Sequence, residues 1–147
     1  MRSILDAARQ REVHDRIATL APDRRGAWGR MSAPQMVCHL SESLRMALGE
    51  LPVAPKRVAL RYPPLKQFVV YIAPFPKNVA TAPELLERSP QQWAVDVADL
   101  DALIDRVAAR RGTRGWPDHP MFGHLSERAW GVLIYRHMDH HLRQFGA

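Results

Sequence analysis

At 147 residues, with 46% hydrophobic and 24% charged side chains, the chain has the size and balance of a single domain, residues 1–147, around one core. No apolar run approaches the roughly 20 residues that cross a bilayer, and "MRSILDAARQ" turns charged too early for a secretory signal, so no membrane partner is expected. One cysteine, Cys38, excludes an internal disulfide and suits a reducing cytoplasm.

The net charge of +6 invites a nucleic-acid reading. The basic residues are dispersed, however, as at Arg24 and Arg25, Lys56 and Arg57, Arg110 and Arg111, and Arg136 and Arg143. They alternate with acids, and few aromatics lie between them to stack bases. The pattern describes a solvated arginine-rich surface, which argues against nucleic acid as partner and would also attract anionic small substrates.

The first predicted helix runs from about Asp6 to Leu20, where Val13, Ile17 and Leu20 keep a helical step while Ile4 and Leu5 fall off that face. Pro and Gly in "APDRRGAWG" end it. The second is "SAPQMVCHLSESLRMALGE": Ser32 and Gln35 make an S-x-x-Q capping box, and Pro34 sits in the first turn, where no intrahelical bond is lost. Met36, Leu40, Leu44, Ala47 and Leu51 form its apolar stripe, and Gly49 with Pro52 marks its end. Residues 52–88 hold many of the prolines around a short apolar piece, Leu65 to Ile72. That piece is short enough to be helix or strand by periodicity. A helix–loop excursion covering one end of a bundle is the preferred expectation.

A third long helix is expected in "SPQQWAVDVADLDALIDRVAARRG", with Ser89 as N-cap, Pro90 at the first helical position and Gln92 completing a capping box. Trp93, Val97, Leu100, Ile104 and Val107 supply the stripe, and Arg110, Arg111 and Gly112 the end. After the loop "TRGWPDHPMFGHL" a last helix runs from Ser126 to about Phe145, before Gly146. Four amphipathic helices without a convincing strand read as an all-α bundle.

The last helix carries "IYRHMDHHLRQFGA", which packs three histidines into five positions. Residues four apart share a helix face, so the imidazoles of His137 and His141 can converge on one metal ion at about 2.0–2.1 Å. At about 100° per residue, Trp130, Ile134, Met138 and Phe145 define the apolar arc. His141 falls inside it, His137 at its edge, His140 on the polar shoulder near Arg136 and Arg143, and Asp139 toward solvent. Inward imidazoles need partners, because an unpaired buried polar group costs on the order of 1–3 kcal/mol.

A third ligand must come from another helix, and His39, on the flank of the second, is the candidate. Three neutral imidazoles would leave a divalent metal an open position for water or substrate. Gln144 could hydrogen-bond a ligand imidazole or a bound water, and Glu42 could act as a nearby acid–base group. Cys38 is rotated about 100° from His39 and reads as a small buried hydrophobe. His14, His119 and His124 lack comparable geometry, and "HPMFGHLS" reads as an ordered loop capping the last helix, with contact of its histidines to substrate at the bundle mouth as the minor reading.

"WGRMSAPQMVCHL", followed far downstream by "HPMFGHLSERAWGVLIYRHMDHHLRQFG", resembles the DinB-like superfamily over most of the chain. That family has one histidine on the second helix and H-x-x-x-H followed by x-x-Q on the last, matched here by His39, His137, His141 and Gln144. The resemblance implies a four-helix bundle of up-down-down-up connectivity, with the three histidines binding a divalent metal, often nickel or zinc. It also implies a homodimer, a small-molecule substrate and a low-molecular-weight thiol as cosubstrate of a thiol S-transferase-like or hydrolase-like enzyme. The Pro-rich segment 52–88 departs from the family's usual connection, and no thiol-binding signature is recognisable. Two other readings stand beside it: a non-catalytic helical bundle that binds a small ligand, and a basic nucleic-acid-binding protein.

Overall fold

A computed structural model describes residues 1–77 and 81–147. It contains five α-helices: α1 (Ala7–Ala18), α2 (Ala33–Leu48), α3 (Leu65–Tyr71), α4 (Trp93–Ala108) and α5 (Glu127–Gln144). Short 3-10 turns at Ala59–Arg61 and Pro83–Leu85 punctuate the connection from α2 to α4. Among the described residues there is no strand beyond one isolated bridge between His119 and Gly123. The expectation of an all-α protein therefore holds.

The α2 stripe predicted from its spacing is buried from Met36 to Ala47, while Leu51, past the end of the helix, is half-buried. Met36, Leu40 and Leu44 meet Leu100, Leu103 and Ile104 of α4 and Met138 and Leu142 of α5 in one core. α2 packs on α4 and α5, while α1 bridges α4 and α5. The capping box at Ser32 and Gln35 is complete, each side chain bonding the other residue's backbone N–H. Gly49 ends α2 in the left-handed conformation (φ 79°), which a residue with a Cβ seldom adopts.

Four local expectations change. α4 starts at Trp93 with Gln92 as N-cap and no side-chain cap, so the box expected at Ser89 does not form. The buried carboxylate of Asp96 takes over, accepting from the Gln91 N–H at 2.8 Å and from Arg88 at 3.2 Å. Capping from inside the first turn is possible because Arg88 supplies the compensating charge. Ile4 and Leu5, off the helical stripe, are buried all the same: they precede α1 in a turn closed by the Asp6 N–H on the Ser3 carbonyl at 3.1 Å, and pack against α5. Gly131 permits that approach, since a Cβ there would lie 2.3 Å from Ser3 Oγ, and its carbonyl accepts from the Ile4 N–H at 3.0 Å.

Asp139 does not face solvent but pairs with Arg16 of α1 at 2.8 Å. Arg136 also turns inward, donating to the carbonyls of Val69, Val70 and Ala73 at the C-terminal end of α3. An arginine there satisfies helix carbonyls that have no intrahelical donor. The apolar piece at Leu65 to Ile72 is thus a helix, pinned to α5 by Arg136. Arg61 and the backbone of Lys56 tie the same excursion to the Pro120 carbonyl, each at 2.9 Å. Residues 78–80 of the Pro-rich segment lie outside the described residues.

Candidate metal centre

His39 on α2 and His137 and His141 on α5 come together from positions almost a hundred residues apart, with ring centroids 4.8–5.0 Å from one another. Their candidate ligand atoms all lie within 4.8 Å of each other. His137 Nε2 is 3.1 Å from His39 Nε2 and 3.2 Å from His141 Nε2. Two imidazole nitrogens bound at 2.0–2.1 Å, at octahedral or tetrahedral angles, stand roughly 2.8–3.4 Å apart. The observed spacings fall within that range.

The outer partners decide which nitrogen of each ring carries the proton. Gln144 Nε2 donates to the Trp28 carbonyl at 2.6 Å. Its Oε1 therefore faces His141 Nδ1, 2.8 Å away, and Nδ1 must be the protonated nitrogen. His39 Nδ1 lies 3.3 Å from the Leu85 carbonyl, which can only accept. Both rings thus turn an unprotonated Nε2 toward His137. One proton on His137 Nε2 can serve only one of them and leaves a second lone pair without a donor. A cation satisfies all three nitrogens together, so this donor set could hold a metal ion.

Burial keeps the rings neutral. Desolvation, then the charge of His39, depresses His141 to about 3. Desolvation first, then a proton on His141 or His39, holds His137 well below the ordinary histidine value. His39 is lowered by burial, partly opposed by the Leu85 carbonyl. Neutral imidazole is the metal-binding form, so protons compete here only in acid.

The three rings open into a cavity of about 930 Å³, whose walls are mainly apolar, with Leu60, Val69, Phe75, Leu133 and Ile134 among them. α3 and the 3-10 turn at Pro83–Leu85 cover it, which is the structural role of the Pro-rich excursion.

Of the two helper residues expected beside the metal ligands, the structure places one. Gln144 is buried against His141. Glu42 turns away, toward Arg45 at 3.3 Å and Arg88 at 3.8 Å on the α4 side, because three helical positions from His39 carry it past the cavity. Cys38 is buried and outside the cavity lining, and burial, followed by the Asp96 charge, pushes its thiol up. His140 is more than a shoulder residue: its ring sits 5.1 Å from His141, 5.5 Å from Trp28 and 6.0 Å from Phe75, on the cavity wall.

His119 also lines the cavity and was not singled out by spacing, since loop positions carry no periodicity. Its place in "HPMFG", a Pro- and Gly-bounded turn, was the available signal. His14 lies elsewhere, between Asp101 and Asp105, and His124 is exposed and outside the lining.

Fold and site define an all-helical protein with a trio of imidazoles, two buried and one half-buried, that could hold a metal ion on the wall of a mainly apolar cavity. The chain belongs to the family described as "Protein of unknown function (DUF1569)", whose model matches residues 2–147. No match is found among curated proteins or among solved structures.

Proposed function

We propose that the protein is a DinB-like four-helix bundle in which His39, His137 and His141 bind a divalent metal, nickel or zinc, for a thiol S-transferase-like or hydrolase-like reaction. The observation that carries this reading is the convergence of three neutral imidazoles, two with their Nε2 lone pairs directed inward by Gln144 and the Leu85 carbonyl. A metal held by three neutral ligands keeps a position for water or a thiol and lowers its pKa, supplying a nucleophile near neutral pH. Around it Val69 of α3, Leu85 and Phe75 line the cavity and offer the substrate an apolar bed. Cys38 is buried away from the cavity, so a reacting thiol would come from a small-molecule cosubstrate. A homodimer, expected from the same resemblance, would find apolar surface on the outer face of α3, where Tyr62, Leu65, Phe68 and Ile72 are exposed.

Elemental analysis of tag-free protein tests the centre. About one nickel or zinc per chain is expected in the wild type and none in His137→Ala. A metal-free wild type, or unchanged metal in the variant, sinks the reading. The apolar lining favours one alternative, a non-catalytic ligand-binding bundle. That alternative expects ligand-induced stabilisation unaffected by chelator.

A further inference from the structure

His119 occupies a turn whose backbone dictates its chemistry. The His119 N–H donates to the Gly123 carbonyl at 2.8 Å, and the Gly123 N–H returns to the His119 carbonyl at 2.7 Å. Gly123 adopts φ +64°, and Arg61 packs against it. Inside this closed turn the N–H groups of Met121 and Phe122 point at His119 Nδ1, at 3.1 and 3.4 Å. Backbone N–H groups only donate, so Nδ1 is the acceptor and the ring proton resides on Nε2. Phe122 and Trp130 hold the ring, at centroid distances of 4.8 and 5.3 Å. Among the described residues Nε2 has no hydrogen-bond partner, although the residue lies on the cavity wall.

We infer that His119 is the hydrogen-bond donor with which this cavity selects an apolar molecule carrying a carbonyl oxygen. A donor without a protein acceptor, in a mainly apolar lining that includes Leu60, Val69, Met121, Leu133 and Ile134, fits an apolar body with one acceptor. No aspartate or glutamate lines the cavity, so nothing there compensates a cationic ligand. The ring itself adds no counter-charge for an anion, because protonating Nδ1 would set it against two backbone donors, and the cations of the lining are Arg30 and Lys56. Burial and the nearby Arg61 charge act in the same direction and hold His119 at about 4. The donor needs no metal, and the inference goes beyond the proposed function in naming a residue and a ligand class.

The probes are 2-acetonaphthone and its isosteric hydrocarbon 2-isopropenylnaphthalene, titrated by calorimetry into the full chain as purified and after chelation. The ketone is expected to bind roughly tenfold tighter than the hydrocarbon under both conditions, the worth of one buried neutral hydrogen bond. His119→Phe keeps the ring packing and should erase the preference. His119→Gln places an amide N–H near the Nε2 position and should restore it to within about threefold. Equal affinity of the two probes for the wild type overturns the assignment. So does an equal loss of both probes in His119→Phe without recovery in His119→Gln, and so does a preference that chelation abolishes. Nitrogen-15 imidazole spectra of the wild type give a reading that needs no variant. A neutral Nε2–H ring from about pH 5 to 8 is expected, and a proton on Nδ1 or titration near 6.5 overturns the inference.

Discussion

The tautomer of His141 is decided two hydrogen bonds away. A backbone carbonyl at Trp28 orients the Gln144 amide, the amide orients the imidazole, and the imidazole presents a bare Nε2. Each step follows from which atoms can only accept and which can only donate. Gln144→Leu removes the relay while keeping an apolar side chain of similar reach. If the centre holds metal, the variant should lose about 10–100-fold in metal affinity, as removal of a ligand's hydrogen-bond partner typically does. A competitive chelator titration measures this, and unchanged affinity would show the relay to be dispensable. The same exchange strands the Trp28 carbonyl and the His141 Nδ1–H, so urea unfolding should report a loss on the order of 1–3 kcal/mol.

Helix starts are where local sequence and tertiary context compete. α2 begins as its own residues dictate, with a reciprocal box at Ser32 and Gln35. The same signature at Ser89 and Gln92 is overruled, because Asp96, anchored by Arg88, satisfies the Gln91 N–H from inside the helix. Ser32→Ala should therefore cost about 1 kcal/mol, whereas Ser89→Ala, at an exposed non-capping position, should fall within about 0.5 kcal/mol of zero. Asp96→Ala should cost on the order of 2 kcal/mol, since a charge-assisted bond and an arginine partner are lost together. Equilibrium denaturation of the three variants separates the two kinds of start. Equal costs for Ser32 and Ser89 would place α4's cap where the sequence expectation had it.

Four buried or half-buried histidines with depressed pKa values make the whole molecule sensitive to acid. His39, His119, His137 and His141 all resist protonation in the folded chain, mainly through desolvation. In the unfolded chain they take up protons near pH 6.5. Their effect on stability is therefore absent above that value and grows as pH falls, because the unfolded state binds the extra protons. Each contributes a slope of up to about 1.4 kcal/mol per pH unit. His14 acts in the opposite sense: burial lowers it, but its bonds to Asp101 and Asp105 outweigh that and raise it, which offsets part of the loss. Urea midpoints should fall between about pH 6.5 and 4.5, before most carboxylates titrate. His141→Gln should flatten that fall by about one proton's worth. A flat profile over this interval would contradict the burial of the trio.

Much of the architecture is readable from short-range pattern: the stripe of α2, the caps at Ser32 and Ser126, the i,i+4 relation of His137 and His141, and the all-helical class. These depend on interactions within about four residues, which the order of side chains specifies directly. The approach of His39 to that pair was legible only as a candidate, since helix periodicity gives a face but not what the face meets. Ile4 and Leu5 in the core, Arg136 as the clasp on α3, Glu42 turned toward Arg88 and His119 on the cavity wall were not legible. Each depends on a partner 46 to more than 100 positions away or, for His119, on the closure of a turn. Such contacts form only when the helices dock and desolvation makes every unpaired polar group find one. Chain order specified the helices and the three imidazoles; packing decided which nitrogens face one another.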